Sequence, residues 1–323
     1  MASDARNKGF FMFWHKMYNN KMRKEVTIMS VYYSSETRML QELNKALTDR
    51  LNPGNNHTWL FAENSKEKIK INPVQFPDVN TKVFPGVAGW REDVISFLRG
   101  SFNHAGGLQT LLPYVETRFV VCTEPDFFII RPKWISEMIN AMKAKKISFF
   151  GAPYDPRRYN MYRYFPHVAF MAMDLSRVDK STLDFNPIHS SSDIFHRIKK
   201  KILGKRANIN TRRDTSSKIF ERYHKTHASE CIQPVFSGKI GFFDKILPDS
   251  LSFVPHKKDY FVREGFSKFG LPDFGNLYNW EEYFYRGKPY AFHMQGSKEK
   301  KDMAREGKAV KEFIEKIISN QQQ

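Results

Sequence analysis

Residues 117–134 read TRFVVCTEPDFFIIRPKW, and the fold turns on how this stretch is read. Residues 118–122 have the apolar, β-branched make-up of a buried strand. Glu124-Pro125-Asp126 follows as a short acidic turn, then four apolar residues, 127–130, and a helix start near Pro132, Lys133 and Trp134. Two carboxylates one residue apart at the mouth of an apolar strand are costly unless they are neutralised, paired or bound to a cation. A hard divalent cation carrying phosphate oxygens suits such a pair, because it prefers carboxylate and water ligands.

Upstream, residues 25–33 (EVTIMSVYY) form the first clear strand. Ser34 or Ser35 can cap a helix whose apolar positions, Met39, Leu40, Leu43, Ala46 and Leu47, recur at helical spacing through Arg50. A second strand at 57–63 (HTWLFAE) ends at Asn64. Strand, helix and strand in so short a span make a parallel βαβ unit, and such sheets bind ligands at the carboxyl ends of their strands. Tyr32, Tyr33, Glu63 and Asn64 would all sit at that edge. Residues 69–74 are a weak strand candidate, with Pro73 confining it to a sheet edge, and 84–89 read as a loop. Residues 101–114 look helical, with His104, Gly106 and Gly107 in the first turns. Those glycines serve either close approach to a phosphate or close helix packing.

Downstream, a helix is expected at 133–145, and strands at 147–152 (ISFFGA) and at 168–173 (VAFMAM), the latter ending at Asp174. The loop at 155–164 carries Arg157, Arg158 and Arg163 beside tyrosines, a pairing that suits sugars, bases or phosphates. Helices are expected at 194–203 and 216–223, and strands at 236–243 and 251–254. Residues 266–280 look irregular. A late strand, 289–294 (PYAFHM), precedes a terminal helix at 298–319 with Val310, Phe313, Ile314, Ile317 and Ile318 as its apolar stripe. His224, His227 and Cys231 loosely imitate a zinc cluster, but no fourth ligand stands at matching spacing, and a solvated helix is preferred.

The 323 residues carry a net charge of +18, which calls for an anionic partner without choosing among nucleotide, acidic glycan, lipid surface and nucleic acid. Hydrophobic residues at 41% are ample for a packed core. Two cysteines, one of them in the apolar strand, fit free thiols and a reducing compartment. No apolar run is long enough to span a bilayer. The expected location is therefore cytoplasmic. The aromatic start at 9–14, with Lys16, Lys21, Arg23 and Lys24 behind it, suits either packing on the domain or peripheral contact with an anionic membrane.

The order of these pieces resembles the GT-A glycosyltransferases, and within them the broad family 2-like group. The resemblance rests on VTIMSVYYSS as the opening nucleotide-binding strand, Glu63-Asn64 as the polar pair, Glu124-Pro125-Asp126 as the acidic turn, and AFHMQGS as a late strand ending in histidine. It implies an α/β fold with a mixed, mostly parallel central sheet flanked by helices and a C-terminal acceptor-side elaboration. The expected divisions are an N-terminal basic and aromatic segment at 1–24, a nucleotide-sugar-binding half at 25–180, an acceptor-side half of the same domain at 181–297, and a C-terminal helix at 298–323. It implies a metal-dependent transferase of glycan biosynthesis. Such an enzyme moves a hexosyl or related sugar from a nucleotide-sugar donor to a hydroxyl of a glycan or lipid-linked acceptor, with inversion favoured. Asp126 and His293 would hold Mn²⁺ or Mg²⁺, with Glu124 beside them or on the ribose. Tyr32, Glu63, Asn64, His104, Glu124 and Arg157 would bind the donor. The acceptor's general base is not fixed by the resemblance; Asp214, Asp193 and Asp174 are the candidates. Glu in place of the family's first Asp puts direct ligation by Glu124 in doubt. The alternatives are a sugar nucleotidyltransferase, which needs a glycine-rich loop that SVYYSSETR lacks, and a basic nucleic-acid-binding protein, for which no binding module is visible.

Overall fold

The computed structural model describes residues 24–54, 57–65, 81–86, 99–154, 164–187, 215–236, 261–294 and 300–320. The central element is β1 (Val26–Tyr32), buried at every position, with β2 (His57–Glu63) and β4 (Phe119–Thr123) buried likewise. Strands covered on both faces need no polar side, which is why all three are dominated by apolar residues without alternation. β1 pairs in parallel with β2 on one side and β4 on the other, so the strand order reverses there. β3 (Thr81–Pro85) adds to β2 in parallel, extending through two positions expected to be loop.

Beyond β4 the sheet turns mixed. β7 (Phe170–Asp174) runs antiparallel between β4 and β6 (Phe149–Gly151), and β8 (Ser229–Cys231) closes the edge parallel to β6. The order is β3-β2-β1-β4-β7-β6-β8. β8 occupies the segment where a solvated helix was expected, and Cys231 is buried there. Its backbone has a partner in β6, which outweighs a weak local preference.

A second, antiparallel sheet has the order β5-β11-β10-β9, from β5 (Phe127–Ile129), β11 (Lys288–His293), β10 (Glu281–Tyr285) and β9 (Gln233–Pro234). The acidic turn at 124–126 is thus where the chain leaves one sheet and enters the other.

The helices are α1 (Ser35–Leu51), α2 (Arg99–Leu111), α3 (Trp134–Lys145), α4 (Ser217–Tyr223), α5 (Phe274–Tyr278) and α6 (Lys300–Asn320). Ser34 caps α1 through a reciprocal box with Thr37. The apolar stripe of α6, with Val310 and Ile314 fully buried, packs into a cluster shared with Leu40 and Leu47 of α1 and Phe128 and Phe292 of the second sheet. Phe119, Trp134, Phe170 and Tyr283 belong to the cluster that joins the first sheet, α3 and the second sheet. Among the described residues no helix is long and apolar enough to cross a membrane. The aromatic start at 9–14, the strands expected at 69–74 and 251–254, all but the first residue of the strand expected at 236–243, and the helix expected at 194–203 lie outside the described residues.

Candidate active site

The acidic turn is built by local chemistry. Phe127 N donates to the Glu124 carbonyl at 3.2 Å, closing a four-residue turn with Pro125 at its second position, where the fixed φ of proline is favoured. Four further contacts fix it from different elements. Ser30 Oγ of β1 donates to the Thr123 carbonyl (2.6 Å) and Asn44 Nδ2 of α1 to the Phe127 carbonyl (2.8 Å). Glu124 N donates to the Ala169 carbonyl (3.1 Å) and Met294 N to the Asp126 carbonyl (3.0 Å). With the backbone thus occupied, the two carboxyl groups are left to project.

Register supplies their third partner. In the second sheet Phe127 of β5 faces His293 of β11, and His293 faces Glu281 of β10. His293 is fully buried. Its Nε2 lies 3.2 Å from Glu124 Oε2 and 3.5 Å from Asp126 Oδ1, and its Nδ1 lies 2.9 Å from Glu281 Oε2. His104 of α2 approaches from the other side, its Nδ1 3.6 Å from Glu124 Oε1. Burial pushes the His293 imidazole down, but Asp126, Glu124 and Glu281 more than reverse this and hold it well above its usual value. Burial likewise raises the Glu124 carboxyl. The His293 contact and the charges of His104, His293 and His167 outweigh it and bring Glu124 to about 2.

Despite that closeness, His293 Nε2 makes no hydrogen bond of acceptable geometry. One ligand atom each from Glu124, Asp126 and His293 converge within 4.8 Å of one another, the only such group among the described residues. A buried nitrogen without a hydrogen bond, beside two carboxylates a third or less exposed, fits a divalent cation. Carboxylate oxygens suit Mg²⁺ and Mn²⁺, and imidazole shifts the preference toward Mn²⁺.

Glu124 and Asp126 form one wall of a pocket of about 450 Å³ at the carboxyl edge of the parallel strands, beside the point where the strand order reverses, with the buried His293 behind them. Of the sequence-predicted residues, Asn64, His104, Glu124 and Asp126 line it. Asn64 is anchored by donating to the Asn103 carbonyl at 2.6 Å. Gly107 packs α2 against β1: a Cβ there would lie 2.8 Å from both γ carbons of Val31. Packing alone explains that glycine.

Three expectations need correction. Tyr32 is fully buried in the core cluster, and its half-exposed neighbour Tyr33 lines the pocket instead. Adjacent residues on a strand face opposite ways, so a slip of one position exchanges core for cleft. Glu63 is buried, accepts a bond from Ser65 Oγ at 2.6 Å, and does not line the pocket. Asp174 lies at the other end of β4, opposite Phe119, held by Arg118 at 2.8 and 2.9 Å. It cannot reach a hydroxyl in this pocket. Asp193, Asp214 and Arg157 lie outside the described residues. Sequence reasoning missed Thr37, Asn103 and Thr215, which line the pocket, together with Asn44 and Glu281. Only Glu281 carried a signal, as half of a Glu-Glu pair in an aromatic strand.

No protein-family model matches the chain, and no curated protein matches it. Solved structures similar in part include the mannosyltransferase PcManGT from Pyrobaculum calidifontis in complex with GDP-Man and Mn²⁺ (TM-score 0.33, 11% identity, 56% of this chain and 58% of that one). Another is S. aureus TarS 1-349 (TM-score 0.37, 11% identity, 52% of each chain). A third is the galactosyltransferase LgtC with donor and acceptor sugar analogues (TM-score 0.37, 8% identity, 61% of this chain and 70% of that one). The chain spans little more than half the length of the first two. A likeness at these TM-scores does not bear on activity.

Proposed function

We propose that this protein is a GT-A-like glycosyltransferase, moving a sugar from a nucleotide-sugar donor to a hydroxyl of a glycan or lipid-linked acceptor. The observation that carries the reading is the convergence of Glu124, Asp126 and His293 on one point at the rim of the pocket. Acidic and imidazole ligands beside a cleft of that size suit a diphosphate carried on a divalent ion better than a neutral small molecule. The β1–α1 connection, Tyr33-Ser34, has no glycine, which argues against a nucleotidyltransferase loop.

In this reading Glu124, Asp126 and His293 hold Mn²⁺, or less favourably Mg²⁺. The ion supplies Lewis-acid stabilisation of the charge that develops on the leaving diphosphate. Tyr33 and Asn64 flank the nucleotide from the β1 and β2 ends, and Asn103 and His104 from α2. Asp214 is the candidate general base for the acceptor hydroxyl, standing one residue before Thr215, which lines the pocket; Asp193 is the alternative. Arg157 remains a candidate for the donor phosphates. A well-placed base contributes about 10²–10⁴-fold.

A screen of nucleotide sugars for hydrolysis, with and without Mn²⁺, tests the proposal on wild type and Asp126→Asn. Turnover of at least one donor should require the ion and fall about 10²–10³-fold in the variant. Metal-independent turnover, or full activity in the folded variant, would sink it.

A further inference from the structure

We infer that Glu281 is the positioning residue of the ion site, fixing the proton of His293 on Nδ1 so that Nε2 is offered to the ion. This rests on the ion-binding reading above. It concerns a residue that touches neither the donor pocket nor the ion.

Three strands lie side by side, and their register sets Phe127, His293 and Glu281 in one row. The first of the three adjoins Asp126, so the row runs from the acidic turn into the protein interior. Glu281 is 2% exposed, and a carboxylate so deeply buried needs donors aimed at it. Its Oε2 accepts from two, His293 Nδ1 at 2.9 Å and the Tyr283 hydroxyl at 2.9 Å. Tyr283 lies two residues along the same strand, on the same face, and is itself fully buried. Its hydroxyl also lies 3.4 Å from the Pro153 carbonyl, but the Glu281 contact is the shorter of the two.

An ionised carboxylate only accepts hydrogen bonds. The His293 nitrogen facing it must therefore carry a proton, so Nε2, 3.2 Å from Glu124 and 3.5 Å from Asp126, is the nitrogen left to lose its proton to an ion. A ring flip would break the Nδ1 contact. Glu281 thus selects the tautomer, holds the ring plane and makes the imidazole a stronger donor, as carboxylates behind metal-bound histidines do. A purely structural Glu281 would affect the melting temperature but leave ion affinity unchanged.

The test is a titration of the full chain with Mn²⁺, read by the electron spin resonance of free Mn²⁺. The nitrogen modulation of the bound ion's spin echo reports whether imidazole is ligated. Wild type, His293→Ala, Glu281→Gln and Tyr283→Phe are compared, with thermal melts to confirm folding. Glu281→Gln should bind about 10–100-fold more weakly, with the nitrogen signal diminished. Tyr283→Phe should bind several-fold more weakly. Wild-type affinity in Glu281→Gln, with binding lost in His293→Ala, overturns the positioning role and leaves the ion site standing. No binding by wild type, or equal binding by wild type and His293→Ala, removes the ion site and this inference with it. If Glu281→Gln does not fold, Tyr283→Phe decides: unchanged affinity and nitrogen signal overturn the role.

Discussion

The two ends of β4 carry two acidic sites of opposite character. At the end where β4 begins, Asp174 is fully buried and saturated: both oxygens take a nitrogen of Arg118, and Ser176 adds its N–H at 3.0 Å and its hydroxyl at 2.7 Å. Where β4 ends, Glu124 and Asp126 are partly exposed and meet only histidines among the ion pairs of the described residues. Carboxylates whose hydrogen bonds are complete hold a fold together. Carboxylates that share a histidine lacking good geometry suit the ion proposed above. On that proposal the same strand separates a structural acid from a functional one, and sequence alone, which shows Asp at both ends, does not.

The comparison breaks most visibly at the structural end. Asp174→Ala should cost about 1.5–3 kcal/mol, the scale of losing hydrogen bonds to a charged group, since the Arg118 left behind is half exposed; urea denaturation measures it. Burial raises the Asp174 carboxyl, but Arg118 and Ser176 outweigh it and hold it below the ordinary value. The pair therefore stabilises fully above the unfolded carboxyl pKa of about 4, and that stability drains away as pH falls through the folded value. Asp174→Asn should flatten this acid limb in stability measured from pH 7 downward. A limb unchanged in the folded variant would mean that the pair is not what holds this end.

At the other end the expected loss is in turnover. Asp126→Asn should lower the rate on the donor found by screening about 10²–10³-fold, the scale of losing one group that stabilises developing charge. Its melting temperature should stay near wild type, since Asp126 is a third exposed and the repulsion from Glu124 that it loses is offset by the lost attraction to His293. A variant both inactive and unfolded would erase the distinction between the two ends.

Smaller effects sharpen the contrast. Gly107→Ala drives a methyl into Val31 at the β1 end of the pocket and should cost about 1–3 kcal/mol, seen as a lower denaturation midpoint. Tyr33→Ala should weaken nucleotide diphosphate binding about tenfold by calorimetry, on the scale of one lost aromatic stacking contact, with stability nearly unchanged. Stability lost instead of affinity would return Tyr33 to the core and Tyr32 to the cleft.

Much of the first sheet was legible because buried parallel strands announce themselves as apolar runs, as 26–32, 57–63 and 119–123 do. The same property hid the faces: with every position buried there is no alternation, so Tyr32 and Tyr33 were indistinguishable. The acidic turn was readable because charge interrupts apolar sequence there. Of the second sheet only the late strand at 289–294, which is β11, was legible. Phe127–Ile129 showed only as apolar residues between the turn and a helix start, and Glu281–Tyr285 opens with two glutamates that a buried strand should avoid. Partners satisfy both: His293 and Tyr283 for Glu281, and the amides of Phe266 (2.7 Å) and Gly275 (3.0 Å) for Glu282. Tyr283 and Gly275 are near in sequence, but nothing in a linear reading aims them, or the more distant His293 and Phe266, at these carboxylates.

The turn at 124–126 belongs to both sheets, whereas His293 belongs only to the second. An ion gripping all three side chains would be a rivet through the seam between the sheets. Catalytic loading would then leave a mechanical trace: amide protons of the β10–β11 hairpin should exchange with solvent more slowly when the rivet is in place, and quicken each time the spent nucleotide carries it away.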